Sequence, residues 1–96
     1  MGVRPAAVAD LPDVMNVLDG AALQADAGRL RTAIDREDVL VAVEGGDDER
    51  VLGALVLDGA EITAVAVRRR RRDQGIGSAL VEVAADRRER LVAEFR

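Results

Sequence analysis

The sequence contains no cysteine, histidine, lysine, tyrosine or tryptophan, and Phe95 is its only aromatic residue. Without cysteine, neither a disulfide nor a thiolate metal site can form. Without histidine, the most common general base and zinc ligand is also missing, so we expect no bound metal. The core of a domain with this composition must be built from aliphatic side chains.

The charged residues are unusual in type and balance. All 14 basic residues are arginine, against 18 Asp and Glu, which gives a net charge of −4. An acidic balance argues against a general nucleic-acid-binding protein. No signal peptide is visible, and no apolar run approaches the roughly 20 residues that a membrane-spanning helix needs. We therefore expect one domain over residues 1–96, in a cytoplasmic protein without a membrane partner.

Hydrophobic periodicity predicts the element order β-α-α-β-β-β-α. Asp10 and Asp26 are expected to be the N-caps of the first two helices. A third helix is expected to follow the glycines near residue 76. The strands are predicted at residues 3–5, 39–43, 51–57 and 60–67.

Two glycine positions refine this prediction. Gly53 falls inside a predicted strand, where glycine marks a bulge or the close approach of another segment. Asp58-Gly59 predicts a two-residue hairpin turn between the third and fourth strands. The last three strands would then form an antiparallel meander.

Residues 60–80 hold the most informative pattern in the chain. An apolar run from Ile62 to Val67 leads into a short basic loop, which ends in the glycines Gly75 and Gly77 just before a helical pattern. Glycines in a strand-to-helix turn allow a backbone to pass close to a phosphate. The start of the helix offers unpaired N–H groups and a favourable dipole. The pattern predicts a turn that binds a pyrophosphate through backbone amides.

This stretch resembles the central motif of the GCN5-related N-acetyltransferases, the GNAT family. That motif reads Arg or Gln, two residues, Gly, one residue, then Gly or Ala, between the fourth strand and the third helix of the family. Arg72, Gly75 and Gly77 match it. The resemblance implies an α/β (α+β) fold of the acyl-CoA N-acyltransferase type, with a mixed, mainly antiparallel sheet flanked by helices. It also implies transfer of an acetyl group from acetyl-CoA to a small-molecule or peptide amine.

The resemblance further implies which residues contact acetyl-CoA. Arg72 and the amides from Gln74 to Ser78 would hold the pyrophosphate, and Ala66 and Val67 would hold the pantetheine and the thioester carbonyl. The full predicted set is Val65, Ala66, Val67, Arg72, Asp73, Gln74, Gly75, Ile76, Gly77 and Ser78.

Glu61 is the candidate general base. It stands at the start of the fourth strand, where some histone-acetylating members of the family carry a Glu that acts through water. A carboxylate there would need an apolar environment to act near neutral pH. The alternative is an ordinary solvent-exposed Glu at a strand end.

The chain also departs from the family pattern. The family continues with a fifth strand, a fourth helix and a closing hairpin, and it commonly uses a tyrosine to protonate the leaving thiolate. This sequence contains no tyrosine. We also expect it to lack the C-terminal strands of the family, and therefore to form a truncated or minimal domain. An uncovered fourth strand would be an exposed sheet edge, which favours a homodimer.

Two alternatives to the enzyme stay open. The first is a catalytically inactive CoA-binding or interaction module, favoured by the missing tyrosine and fifth strand. The second is a small regulator that binds nucleic acid through the arginines at 68–72. The second is the weaker hypothesis, because no aromatic residues lie nearby to stack on bases.

Overall fold

The computed structural model describes residues 1–20, 26–45, 49–59, 61–71 and 74–94. Two short 3₁₀ turns lie at Val8–Asp10 and Arg69–Arg71. The strands and helices are β1 (Gly2–Pro5), α1 (Leu11–Gly20), α2 (Ala27–Asp35), β2 (Val39–Glu44), β3 (Arg50–Asp58), β4 (Glu61–Val67) and α3 (Ile76–Glu94). This order confirms the predicted β-α-α-β-β-β-α arrangement and the α+β class.

The four strands form one sheet in the order β1-β2-β3-β4, and each described pairing is antiparallel. Helices α1 and α2 pack on one face, and α3 packs on the other. Because both faces are covered, the central strand β2 is buried from Val39 to Val43. This explains why its sequence is continuously apolar rather than alternating.

The two faces have separate aliphatic cores. On the α1–α2 face, Val14 and Ile34 pack with alternate residues of the strands. On the α3 face, Leu52 and Leu55 pack with Leu80, and all three are almost fully buried. The core is therefore aliphatic in the described residues, as the composition predicts.

A β-bulge interrupts β3 close to Gly53. Ala42 pairs with Gly53 while Val43 pairs with Val51, so Leu52 is the extra residue. The prediction that Gly53 marks an irregular position is confirmed. A second bulge lies in β4, where Thr63 is the extra residue and its hydroxyl donates to the Val56 carbonyl at 3.2 Å.

One of the two predicted helix caps is confirmed. The Asp26 carboxylate accepts from the Arg29 N–H at 3.1 Å, which caps α2. The prediction that Asp10 caps α1 is wrong. Its carboxylate instead accepts from the Ala7 N–H at 2.8 Å and from the Arg4 guanidinium at 2.8 Å, so it joins the first 3₁₀ turn to β1.

The hairpin turn between β3 and β4 begins one residue later than predicted. Asp58 pairs with Glu61, so Asp58 is the last strand residue and not a turn residue. Gly59 follows it with φ +61°, a conformation that favours glycine. Ala60, predicted as the first residue of the strand, lies outside the described residues.

The Arg4–Asp10 pair predicts a pH-dependent contribution to stability. The hydrogen bond from Arg4 lowers the pKa of Asp10 below its ordinary value of 3.8. A carboxylate with a lowered folded-state pKa contributes fully above the unfolded-state value, and its contribution is lost as the pH falls through the folded-state value. We expect Asp10→Asn to cost about 1 kcal/mol of unfolding free energy at neutral pH, since the pair is partly solvated.

Urea denaturation of wild type and of Asp10→Asn, at neutral and at acidic pH, measures this difference in unfolding free energy. The difference should narrow as the pH falls below 3.8, the ordinary value for Asp10. Asp13→Asn, at an exposed position on α1, is the control and should change stability much less. A difference between Asp10→Asn and wild type that is independent of pH would contradict the ion-pair explanation.

Candidate cofactor site

The phosphate turn, residues 68–78, links β4 to α3. Gly75 has φ +76°, and its carbonyl accepts the helical bond from the Ala79 N–H at 3.0 Å. Helix α3 therefore begins directly after Gly75, and the N–H groups of Ile76, Gly77 and Ser78 have no acceptor within the helix. Together with the helix dipole, these amides form a local positive field suited to a phosphate.

The residues of this turn differ in what they can offer a ligand. A Cβ added at Gly75 would meet no atom of the described residues within 4 Å, so these residues leave the turn open at this point. Gln74 and Ser78 are exposed. The Ile76 side chain is buried in the core under α3, so only its amide is available. Arg72 and Asp73, both predicted to contact the cofactor, lie outside the described residues.

The backbone of β4 offers donors at the edge of the sheet. The Arg68 N–H donates to the Leu52 carbonyl at 2.9 Å, toward β3. Because peptide groups alternate in direction along a strand, the Ala66 N–H also points toward β3, and those of Val65 and Val67 point away from it. Among the described strands, β4 pairs only with β3. Val65 and Val67 thus offer amides to a ligand at this edge, whereas Ala66 is committed to the sheet.

The arginines at 68–71 are not a uniform basic patch. The Arg68 Nε donates to the Val51 carbonyl at 2.7 Å. Arg71 forms an ion pair with Glu44 on β2 at 2.7 Å. Arg69 and Arg70 are exposed. Two of the four described arginines are thus bound to the protein itself, which the sequence did not indicate.

Glu61 lies far from the phosphate turn. It is exposed and pairs with Asp58 at the hairpin end of β4. Because Thr63 is the extra residue of a bulge, Glu61 and Val65 stand opposite Asp58 and Leu55, which are three residues apart. The rise along a strand then places the Cα atoms of Glu61 and Val65 about 10 Å apart. A carboxylate at this distance could reach an amine near Val65 only through intervening water.

Two clefts open on the face of the sheet that carries α1 and α2. The smaller, of about 330 Å³, lies between the end of α1 and the end of β4 and is bordered by Asp19, Val67 and Arg69. The larger, of about 690 Å³, lies between α2 and the β3–β4 hairpin. Charges of both signs line the larger cleft, on Asp26, Arg29, Arg36, Asp38 and Asp58.

Two further features concern metal and membrane binding. Across the described ranges, no group of three or more acidic side chains is placed to hold a metal ion. None of the described helices is long and apolar enough to cross a membrane.

Solved structures with the same fold include several acetyltransferases. Rv2747 from Mycobacterium tuberculosis, in complex with CoA and NLQ, is 25% identical with a TM-score of 0.84, over 95% of this chain and 59% of that one. N-acetylglutamate synthase from Neisseria gonorrhoeae, complexed with coenzyme A and N-acetyl-glutamate, is 20% identical with a TM-score of 0.77, over 92% of this chain and 22% of that one. Ribosomal-protein-alanine N-acetyltransferase from Brucella melitensis is 19% identical with a TM-score of 0.73, over 94% of this chain and 68% of that one.

The chain thus spans 59% of the length of Rv2747 and 22% of that of the synthase. No curated protein matches the sequence. The family model for the acetyltransferase (GNAT) family matches residues 11–93, which include α1, α2, the phosphate turn and most of α3. The chain belongs to the GNAT acetyltransferase family.

Proposed function

We propose that this protein transfers an acetyl group from acetyl-CoA to a primary amine of a small molecule or peptide. The observation that carries the proposal is the phosphate turn, in which Gly75 at φ +76° precedes α3 and leaves the first amides of the helix without an acceptor inside the helix. Two structures with this fold, Rv2747 and the Neisseria synthase, are complexes with CoA. A pyrophosphate bound at a helix N-terminus is a favourable use of such a turn.

In this proposal, each part of the site holds one part of acetyl-CoA. Arg72 and the amides from Gln74 to Ser78 bind the pyrophosphate, with Asp73 contributing its backbone N–H. The amides of Val65 and Val67, which point away from β3, bind the pantetheine and the thioester carbonyl. Buried Ala66 keeps this part of β4 in the sheet.

The reaction proposed is direct transfer. The amine nitrogen attacks the thioester carbonyl carbon, the C–N bond forms, and the C–S bond breaks to release the CoA thiolate, which takes up a proton. A β4 amide at the carbonyl oxygen would stabilise the negative charge of the tetrahedral intermediate. Glu61 is the proposed base, and it would take the proton of the ammonium group through water because of its distance from Val65.

The larger cleft is the proposed acceptor site. It lies beside the hairpin that carries Glu61, and Asp58, the strand partner of Glu61, lines it. Its carboxylates can attract an ammonium group, and Arg29 and Arg36 can bind a carboxylate. These charges favour an amino-acid-like acceptor, in line with the N-acetyl-glutamate in the complex of the synthase.

Release of free CoA thiol in the presence of a panel of amino acids and simple amines tests the enzyme. We expect acceptor-dependent thiol release, lower in Glu61→Gln by about a hundredfold if Glu61 is the base. Glu82→Gln, at an exposed position on α3, is the matched control and should keep the wild-type rate. Equal rates in both variants would contradict the role of Glu61.

A catalytically inactive CoA-binding module is the second candidate, and the exposure of Glu61 favours it. Acetyl-CoA binding without thiol release across the whole panel would identify it. Nucleic-acid binding through residues 68–72 is less well supported, because Arg68 and Arg71 are bound to Val51 and Glu44.

We also propose that the protein is a cytoplasmic homodimer. Among the described strands, β4 has no partner on its outer side. The part of this edge that precedes Val65 can pair with a second copy and leave the amides of Val65 and Val67 to acetyl-CoA. Light scattering of the purified chain gives its mass directly. A monomer at all concentrations would contradict pairing through β4.

A further inference from the structure

The bulge in β3 contacts both ends of the phosphate turn. At the first end, Arg68 uses two donors: its N–H bonds to the Leu52 carbonyl at 2.9 Å, and its Nε bonds to the Val51 carbonyl at 2.7 Å. Leu52 is the extra residue of the bulge. Two consecutive carbonyls of β3 are thus satisfied by one arginine at the exact point where the chain leaves β4.

At the other end, Gly53 provides the space in which α3 begins. A Cβ at position 53 would lie 2.9 Å from the Ala66 carbonyl oxygen, 3.2 Å from a methyl of Ile76 and 3.3 Å from a methyl of Leu80. The first of these distances requires a shift of backbone, not of a flexible side chain. Any side chain at 53 would push β4 or the start of α3 away from β3.

A third contact lies between these two ends. Arg71, in the short 3₁₀ turn Arg69–Arg71, pairs with Glu44 at the end of β2 at 2.7 Å. Both members of this pair are well exposed, so it is worth less than the contacts of the bulge. Among the contacts of the described residues, those of Arg68 and Gly53 therefore restrain the phosphate turn most strongly.

We propose that Arg68 and Gly53 are positioning residues for cofactor binding, which fix the phosphate turn on the bulge of β3. This inference rests on the proposed function, since it assumes that the turn binds the pyrophosphate of acetyl-CoA. Arg68 acts through the backbone it anchors, because its Nε is already bound to Val51. Gly53 acts through the packing of Ile76, whose amide is in the first turn of α3.

The first experiment is calorimetric titration of acetyl-CoA into Arg68→Met and into Arg4→Met. Both variants lose one arginine, and Arg4 lies on β1 at the opposite edge of the sheet. We expect Arg68→Met to raise the Kd about tenfold or more, which corresponds to a loss of about 1.4 kcal/mol of binding free energy. Arg4→Met should leave the Kd within about twofold of wild type. Equal effects of the two would overturn the inference.

Repeating the titration at two salt concentrations distinguishes positioning from direct contact. If Arg68 contacted the ligand, its loss would reduce the salt dependence of the Kd, because one screened charge pair would be gone. A positioning residue weakens binding by the same factor at both salt concentrations, and this is the result we expect. A reduced salt dependence in Arg68→Met would overturn the positioning role.

Gly53→Ala tests the other end of the turn without any change of charge. We expect it to shift the amide NMR resonances of residues 74–78 in the free protein and to weaken acetyl-CoA binding. Gly2→Ala, where a Cβ meets no atom within 4 Å, is the control and should do neither. Unchanged resonances of residues 74–78 in both Arg68→Met and a folded Gly53→Ala would overturn the inference.

The two proposals can fail separately. If wild-type protein does not bind acetyl-CoA, the proposed function is contradicted, and the amide resonances of Arg68→Met still decide whether the bulge fixes the turn. If wild-type protein binds and the variants bind equally well, the positioning role is wrong and the proposed function stands.

Discussion

Gly75→Glu is expected to weaken acetyl-CoA binding by at least about a hundredfold, which corresponds to about 2.7 kcal/mol. The added carboxylate would stand at the open start of α3, where the proposal places the negatively charged pyrophosphate. Its repulsion would oppose the favourable field at the N-terminus of α3. Calorimetric titration of the variant, after circular dichroism has shown that it is folded, gives the result.

Gly75→Ala separates this charge effect from backbone strain. An alanine at φ +76° costs about 1–2 kcal/mol of stability, but its methyl group would meet none of the described atoms within 4 Å. It should therefore bind acetyl-CoA far more tightly than Gly75→Glu does. If folded Gly75→Glu bound as tightly as wild type, the pyrophosphate would have to lie elsewhere.

Leu80→Ala is expected to have the largest effect on stability, about 3 kcal/mol of unfolding free energy. Leu80 is fully buried between α3 and the sheet, where it packs with Leu52 and Leu55. A small domain has a total stability of about 5–15 kcal/mol, so this loss is a large share of it. Urea denaturation measures the change.

Val81→Ala is the matched control on the same helix. Val81 is 40% exposed, one position after a residue that is 0% exposed. We expect its truncation to change stability by no more than about 0.5 kcal/mol. Similar losses in the two variants would mean that α3 does not pack on the sheet in the orientation described.

The fold could be predicted in outline because its signals are local. The continuous aliphatic run at residues 39–43 predicted a strand, and Asp26 predicted a helix cap. Both predictions are confirmed. Gly53 indicated an irregular strand position, which is also found. The prediction for Asp10 was wrong because its carboxylate has other partners. It accepts hydrogen bonds from Arg4 and from the Ala7 N–H instead of capping α1.

The site could be predicted only in part, since its geometry depends on partners distant in sequence. The glycine pattern predicted a turn between β4 and α3, and Gly75 in that turn has φ +76°. Consecutive arginines, in contrast, look equivalent in a sequence. Only the fold brings Arg68 to the Val51 carbonyl and Arg71 to Glu44, and only the register of β4 shows that Val65 and Val67 have outward amides.

Titration of acetyl-CoA into the purified wild-type chain is the most direct test of the central claim, that the phosphate turn is a working cofactor site. We predict a dissociation constant in the micromolar range. Folded protein that binds no acetyl-CoA at millimolar concentration would contradict the claim.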